Sequence, residues 1–272
     1  MNPGPQWLAP GSPVAGQSLS ALRAVVQDTL REAVRGRWIW MSVAAALGVA
    51  LVAAFARSLA LTEEHDLALA VAAPLARLLA VLIVCLNAIA SVTREQADRT
   101  LLLALAAPIS RTAWLGGKTA GLVVVAVLTA LILAATVLLF SPPAAALLAW
   151  TGTLALELAV MAVVAIAISL VLRQVPPAVC AVMAFYVLAR DLHVVQLLAR
   201  HAADFSDLGA AAPVVQAVAL LFPRLDLFAR TDWLLGSPLM APALGAVAAQ
   251  AAVYGLLAFC VAVIDLRRAQ FS

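Results

Sequence analysis

Apolar residues run along this chain in blocks of about 20 or more, broken by short polar stretches. That is the length a helix needs to cross about 30 Å of hydrocarbon. Six such blocks, at 38–61, 67–92, 119–140, 144–172, 177–195 and 239–264, predict six membrane spans. In the fifth, the clean apolar run ends at Ala189, and Arg190, Asp191 and His193 follow. That leaves open whether this span is short, broken or continued as a partly exposed helix. Ahead of the first block the pattern is different. Leu22, Val25, Val26, Leu30, Ala33 and Val34 recur at helical spacing, with Arg23, Gln27, Asp28, Arg31 and Arg35 between them. This predicts an amphipathic helix over 19–37, lying in the membrane interface. Trp38 and Trp40 then mark the headgroup level, where aromatic rings prefer to sit. Residues 1–18, rich in Pro and Gly and without periodicity, read as a flexible tail. They do not read as a cleaved signal peptide, because the first apolar block lies too far in and is too long.

The composition agrees with a bilayer as solvent. Apolar residues make up 65% of the chain and charged residues 11%, against roughly 45–50% and 25% in soluble domains. Mean hydropathy is +1.06. The expected fold class is therefore an all-α integral membrane protein: six transmembrane helices, an N-terminal interfacial helix and a short polar helix between spans two and three. Cys85, Cys180 and Cys260 all fall in apolar blocks without CxxC or other metal-ligand spacing, and read as small buried hydrophobes. A single Lys among many Arg, together with heavy Ala content, is associated with GC-rich bacterial genomes.

Charge placement sets the expected direction. The side holding the N-terminus, the 93–118 stretch, Arg173 and the C-terminus carries eleven Lys and Arg, and the other side carries five. By the excess of basic residues on the cytoplasmic side, both termini are expected in the cytoplasm, with about 40 residues between spans five and six on the outer face.

The cytoplasmic stretch is the most informative part of the chain. Arg94, Glu95, Asp98 and Arg99 crowd into about one and a half helical turns, then come Thr100, Leu101, Leu102, Leu103 and Leu105, and Pro108 ends the run. Ile109-Ser110-Arg111, Trp114 and Gly116-Gly117-Lys118 lead into span three. From the residues alone this is either a solvated basic loop or a surface helix that docks a soluble partner. The order Glu95, Thr100, Leu101–Leu103, Pro108-Ile109-Ser110-Arg111 and Gly117-Lys118 resembles the signature of ABC-2 type transporter permeases. Arg99 stands where that family usually has Gly. A weaker likeness lies at Leu221-Phe-Pro-Arg-Leu-Asp-Leu-Phe228, before the last span.

The resemblance implies a half-transporter of the bacterial inner membrane. A second copy of the permease and two copies of a separate ATP-binding subunit would complete it. That subunit would dock on Arg94, Glu95, Asp98, Arg99, Thr100, Leu101, Pro108 and Arg111. Phe222, Pro223, Asp226 and Phe228 are candidate gate residues on the outer face. ATP and Mg would sit on the partner, and this chain would bind no cofactor itself. Export is the favoured direction, and an apolar, Ala-rich interior fits a lipid-linked or amphipathic cargo better than a free ion. Gly117-Lys118-Thr119 superficially resembles the end of a P-loop. However, Thr112 stands where that loop needs Gly, and Ala113-Trp114-Leu115 are bulky, so no phosphate cradle is expected here.

Arg77 and Glu157 are the two ionisable residues deep within the predicted spans. Arg77 lies 15 positions before Val92 and Glu157 lies 15 before Leu172, so both are expected at similar depth and paired, within one chain or across a dimer. Such a pair could fix helix register, serve a pathway, or snorkel to the outer interface. Asn87, Ser91, Gln250 and Tyr254 are further in-span polar groups, each expected to be satisfied between helices. The apolar run from Pro213 to Phe222 is too short to span and predicts a surface or re-entrant helix. His193 and His201, eight apart, lack metal-ligand spacing. No enzyme motif and no nucleic-acid partner is expected. A secondary transporter or channel, and a membrane-anchored scaffold, remain the alternatives to an ATP-driven permease.

Overall fold

In a computed structural model of the chain, the structure describes residues 14–59, 64–97, 111–205, 222–238 and 241–268. Among these, seven α-helices and two short 3-10 turns carry the fold, and there is no strand. Helix α1 is Val14–Arg35, α2 is Trp38–Leu59, α3 is Glu64–Ala97, α4 is Arg111–Leu138, α5 is Ala144–Leu172, α6 is Val175–Phe205 and α7 is Ala241–Arg268. Helices α2 to α7 are each long and apolar enough to cross a membrane, and the chain is a multi-pass membrane protein.

Helix α5 is apolar on every face, as a helix surrounded by others must be. It packs against α3, α4, α6 and α7 and is the most buried of the six, while α2 and α7 are the least. Hydrocarbon gives helices no hydrophobic reason to associate, so close backbone approach and internal hydrogen bonds hold the bundle together. Ala68, Ala72, Ala76 and Ala80 supply that approach on α3. Spaced four apart, they form one fully buried ridge. The hydroxyls of Ser42, Thr93, Thr129, Thr151 and Thr153 donate to carbonyls four residues back, so they enter the bundle without orphaned donors.

Sharp turns join the helices. Arg37, Ser141 and Arg173 take left-handed backbone angles at the α1–α2, α4–α5 and α5–α6 connections. Pro143 caps the start of α5, its carbonyl accepting from the Leu147 N–H at 3.0 Å. Arg173 closes the same helix, its N–H donating to the Ser169 carbonyl at 3.2 Å.

Several local expectations give way. Residues 14–18, read as tail, are helical. Of the alternatives open for the fifth span, the structure takes the continued one, an unbroken helix through Arg190 and Asp191 to Phe205. Trp38 is 3% exposed, its indole N–H donating to the Thr129 hydroxyl at 2.9 Å, whereas Trp40 is 74% exposed. Trp38 is thus a packed, internally bonded ring, and of the two only Trp40 stands on the surface. Cys85 is buried as expected, but Cys180 and Cys260 lie on the outer surface of the bundle.

Candidate functional site

Two polar clusters interrupt the apolar bundle, one at each end. At the α1 end, α1 crosses the start of α4, and Gly121 lets it come close. A Cβ at that position would stand 2.7 Å from the Thr29 Cβ. This approach carries Glu32 over the junction of α3 and α4. Lys118, one helical turn before Gly121, is 1% exposed, and its Nζ donates to Glu32 Oε2 at 3.0 Å and to Glu95 Oε1. Ser91 donates its hydroxyl to Glu32, and Arg94 adds a looser ion pair with Glu32 at 3.8 Å.

One buried ammonium therefore ties α1, α3 and α4 together through two carboxylates, each about a fifth exposed. Burial raises the pKa of Glu32, but the Ser91 hydroxyl, Lys118 and Arg94 outweigh it and hold the carboxyl below its ordinary range. A recess of about 520 Å³ opens beside this junction, lined by Asp28, Arg31, Glu32, Arg35, Arg94 and Glu95 among others.

Arg94 and Glu95 belong to the last turn of α3 rather than to a separate helix, and Gly116, Gly117 and Lys118 lie inside α4. Glu95 faces inward to Lys118, while Arg94 is 61% exposed. Asp98, Arg99, Thr100, Leu101 and Pro108 lie outside the described residues, and Arg111 begins α4.

At the far end, residues 222–238 fold back against the bundle. Tyr254 on α7 donates its hydroxyl to the Phe222 carbonyl at 3.0 Å, and the Phe222 ring lies 5.2 Å from that of Phe185 on α6. Arg190 Nη1 donates to the carbonyls of Leu225 at 2.6 Å and Phe228 at 3.3 Å. Arg77 Nη1 donates to the Ala229 carbonyl at 3.2 Å, and the Ala229 N–H donates to the Thr153 hydroxyl at 3.1 Å. Ala229 is fully buried with φ at +43°, a left-handed conformation that a non-glycine residue adopts at some cost. Pro223 and Phe228 are buried, and Asp226 pairs with Arg224 at 3.3 Å.

Glu157, 0% exposed, makes its ion pair with Arg190 at 3.4 Å rather than with Arg77. The residue whose register matches Glu157 is on α6, not on α3. Glu157 lies 15 residues before the end of α5, and Arg190 lies 15 after the start of α6. The two are symmetric about the hairpin turn, both about 22 Å from it. The second missed residue is Glu32. Its register in an amphipathic helix said only that it was polar, not that α1 would lay it over Lys118.

His193 and His201 lie along α6, with their side chains outside the described residues, as is the run 213–221. No group of three metal-capable side chains occurs among the described residues. No family model matches the chain, and no curated protein matches it closely enough to count as a relative.

Proposed function

We propose that the chain is the membrane-spanning subunit of an ATP-driven, ABC-2 type transporter, working with a second permease copy and a separate pair of ATP-binding subunits. The observation that carries this reading is the Glu95–Lys118 ion pair. The sequence signature begins at one of these residues and ends at the other. Their contact ties the last turn of α3 to the early turns of α4. A junction of that kind can pass a push from a soluble partner into α3 and α4 and, through Glu32, into α1. The neighbouring charged recess offers such a partner a polar surface. On this reading the α1 end is cytoplasmic, the membrane is a bacterial inner membrane, and the segment from Phe222 to Phe228 faces outward as part of a gate.

The test is a pull-down from detergent-solubilised native membranes, comparing wild type with the double variant Arg99→Glu, Arg111→Glu. Glu95 is left intact because it holds Lys118. Wild type should bring down a stoichiometric subunit carrying ATP-binding motifs, and the double variant should lose it while keeping its own thermal stability. If neither recovers an ATPase under conditions that preserve a permease dimer, the chain is a secondary transporter, channel or scaffold.

A further inference from the structure

The far-end cluster has a charge that the fold does not balance. A cavity of about 420 Å³ opens there, lined by Arg77 of α3, Arg190 of α6, and Arg224, Asp226, Arg230 and Asp232 of the folded-back segment, with Leu227 and Thr231. Three of the four guanidinium groups already hold a carboxylate: Arg190 with Glu157 at 3.4 Å, Arg224 with Asp226 at 3.3 Å, and Arg230 with Asp232 at 3.1 Å. Arg77 forms no direct ion pair among the described residues; the Glu157 carboxylate, already held by Arg190, reaches it only at longer range. Arg77 has its one bond to the Ala229 carbonyl, and its Nε is buried without an acceptor. A guanidinium drawn into a bundle that hydrocarbon surrounds is costly unless a counter-charge joins it. The cavity beside it is many times the roughly 30 Å³ that one water occupies in the liquid.

We infer that this cavity is a binding site for a phosphate-bearing anion, with Arg77 as the principal ligand and Arg224 and Arg230 at the rim. Guanidinium groups present paired N–H donors that match phosphate and carboxylate oxygens. Here the donors come from two separate parts of the chain, α3 and the 222–238 segment, and so approach from different directions. That suits the tetrahedral oxygens of a phosphate better than the single plane of a carboxylate. The excess over the three internal pairs is one positive charge, which a phosphodiester would neutralise. An anionic phospholipid headgroup and a free phosphorylated solute share this chemistry. The inference stands whether or not an ATPase drives the chain.

The experiment uses the whole protein, delipidated in a maltoside detergent, titrated separately with phosphatidylglycerol and with glycerol phosphate. Binding is followed with labelled ligand and with the unfolding midpoint. Saturable binding in either arm is the expected result, and the arm that saturates identifies the source as lipid or solute. Arg77→Gln should weaken that binding about tenfold or more. Its unfolding midpoint without ligand should fall slightly, because the Ala229 carbonyl loses its donor, and added ligand should no longer raise it. A purely structural arginine would lower the midpoint but leave the ligand-induced rise intact. Should Arg77→Gln fail to fold, the double variant Arg224→Gln, Arg230→Gln reads the same affinity, because both side chains are about half exposed. Arg57→Gln, on an exposed pair outside the cavity, should leave binding unchanged. The inference is overturned if neither arm saturates below about 10 mM, an affinity of less than about 3 kcal/mol. Unaltered affinity in both the Arg77 and the rim variants also overturns it.

Discussion

Replacing Lys118 with Met isolates what the α1-end junction contributes. The side chain keeps its length and loses its charge, while Glu32 and Glu95 are left facing one another with no ammonium between them. Removing one partner from a fully buried ion pair costs about 3–5 kcal/mol, chiefly because a charge is stranded. Lys118 is 1% exposed but its carboxylates are 23% and 21% exposed, so water screens part of the penalty and the lower end, about 3 kcal/mol, applies. The assay is reversible unfolding in mixed micelles, run on Lys118→Met and on the triple variant that adds Glu32→Gln and Glu95→Gln. The triple variant should recover most of the loss, to within about 1 kcal/mol of wild type, because no charge is left stranded. The deficit of the single variant should also shrink as the pH falls from 7 towards 5, as protonation relieves the facing carboxylates. A triple variant no more stable than the single one would refute this account and assign the loss to packing.

Three other outcomes follow from named contacts. Gly121→Ala should cost about 1–3 kcal/mol by pushing α1 off α4, and adding Thr29→Gly should recover part of it, because the clash is with the Thr29 Cβ; thermal unfolding of the two variants checks this. Glu32 has a depressed pKa, so its stabilisation is complete above the pKa of the unfolded carboxyl and is lost as the pH falls through the lower folded value. Unfolding midpoints for Glu32→Gln should accordingly fall less steeply with acid than those of wild type. Arg190→Gln should destabilise by about 3–5 kcal/mol, since it strands Glu157 and releases two buried carbonyls, and the further change Glu157→Gln should restore part of this; a nearly neutral Arg190→Gln in the same unfolding assay would overturn the reading.

The six spans were readable because a bilayer allows few solutions: an apolar block of this length has to be a helix. Helix ends were less readable. The apolar blocks stop at 92 and begin again at 119, whereas α3 and α4 extend beyond them as helices, carrying Glu95 and Lys118. The signature therefore named both members of the Glu95–Lys118 pair as linker residues, without showing that they touch. Glu32 was hidden for a different reason. Its partners lie 59 and 86 residues away, and nothing in helical periodicity records which helix an amphipathic face will cover. Arg190 could have been found. Depth measured from the α5–α6 turn selects it as readily as depth measured along α3 selected Arg77, but its position at the end of the apolar run suggested solvent instead.

The folded-back segment is held at Phe222, Leu225, Phe228 and Ala229 by carbonyl oxygens, gripped by Tyr254, Arg190 and Arg77. Every amino acid supplies a carbonyl. The fastening therefore places its hydrogen-bonding demands on the receiving helices, while the segment itself supplies the buried side chains of Leu225, Phe228 and Ala229. Outward-facing side chains such as Arg224, Arg230 and Asp232 are free to be exchanged without loosening the clasp. This end of the bundle is built like an interchangeable fitting on a fixed mount, and its recognition properties can be retuned one residue at a time while the mount stays as it is.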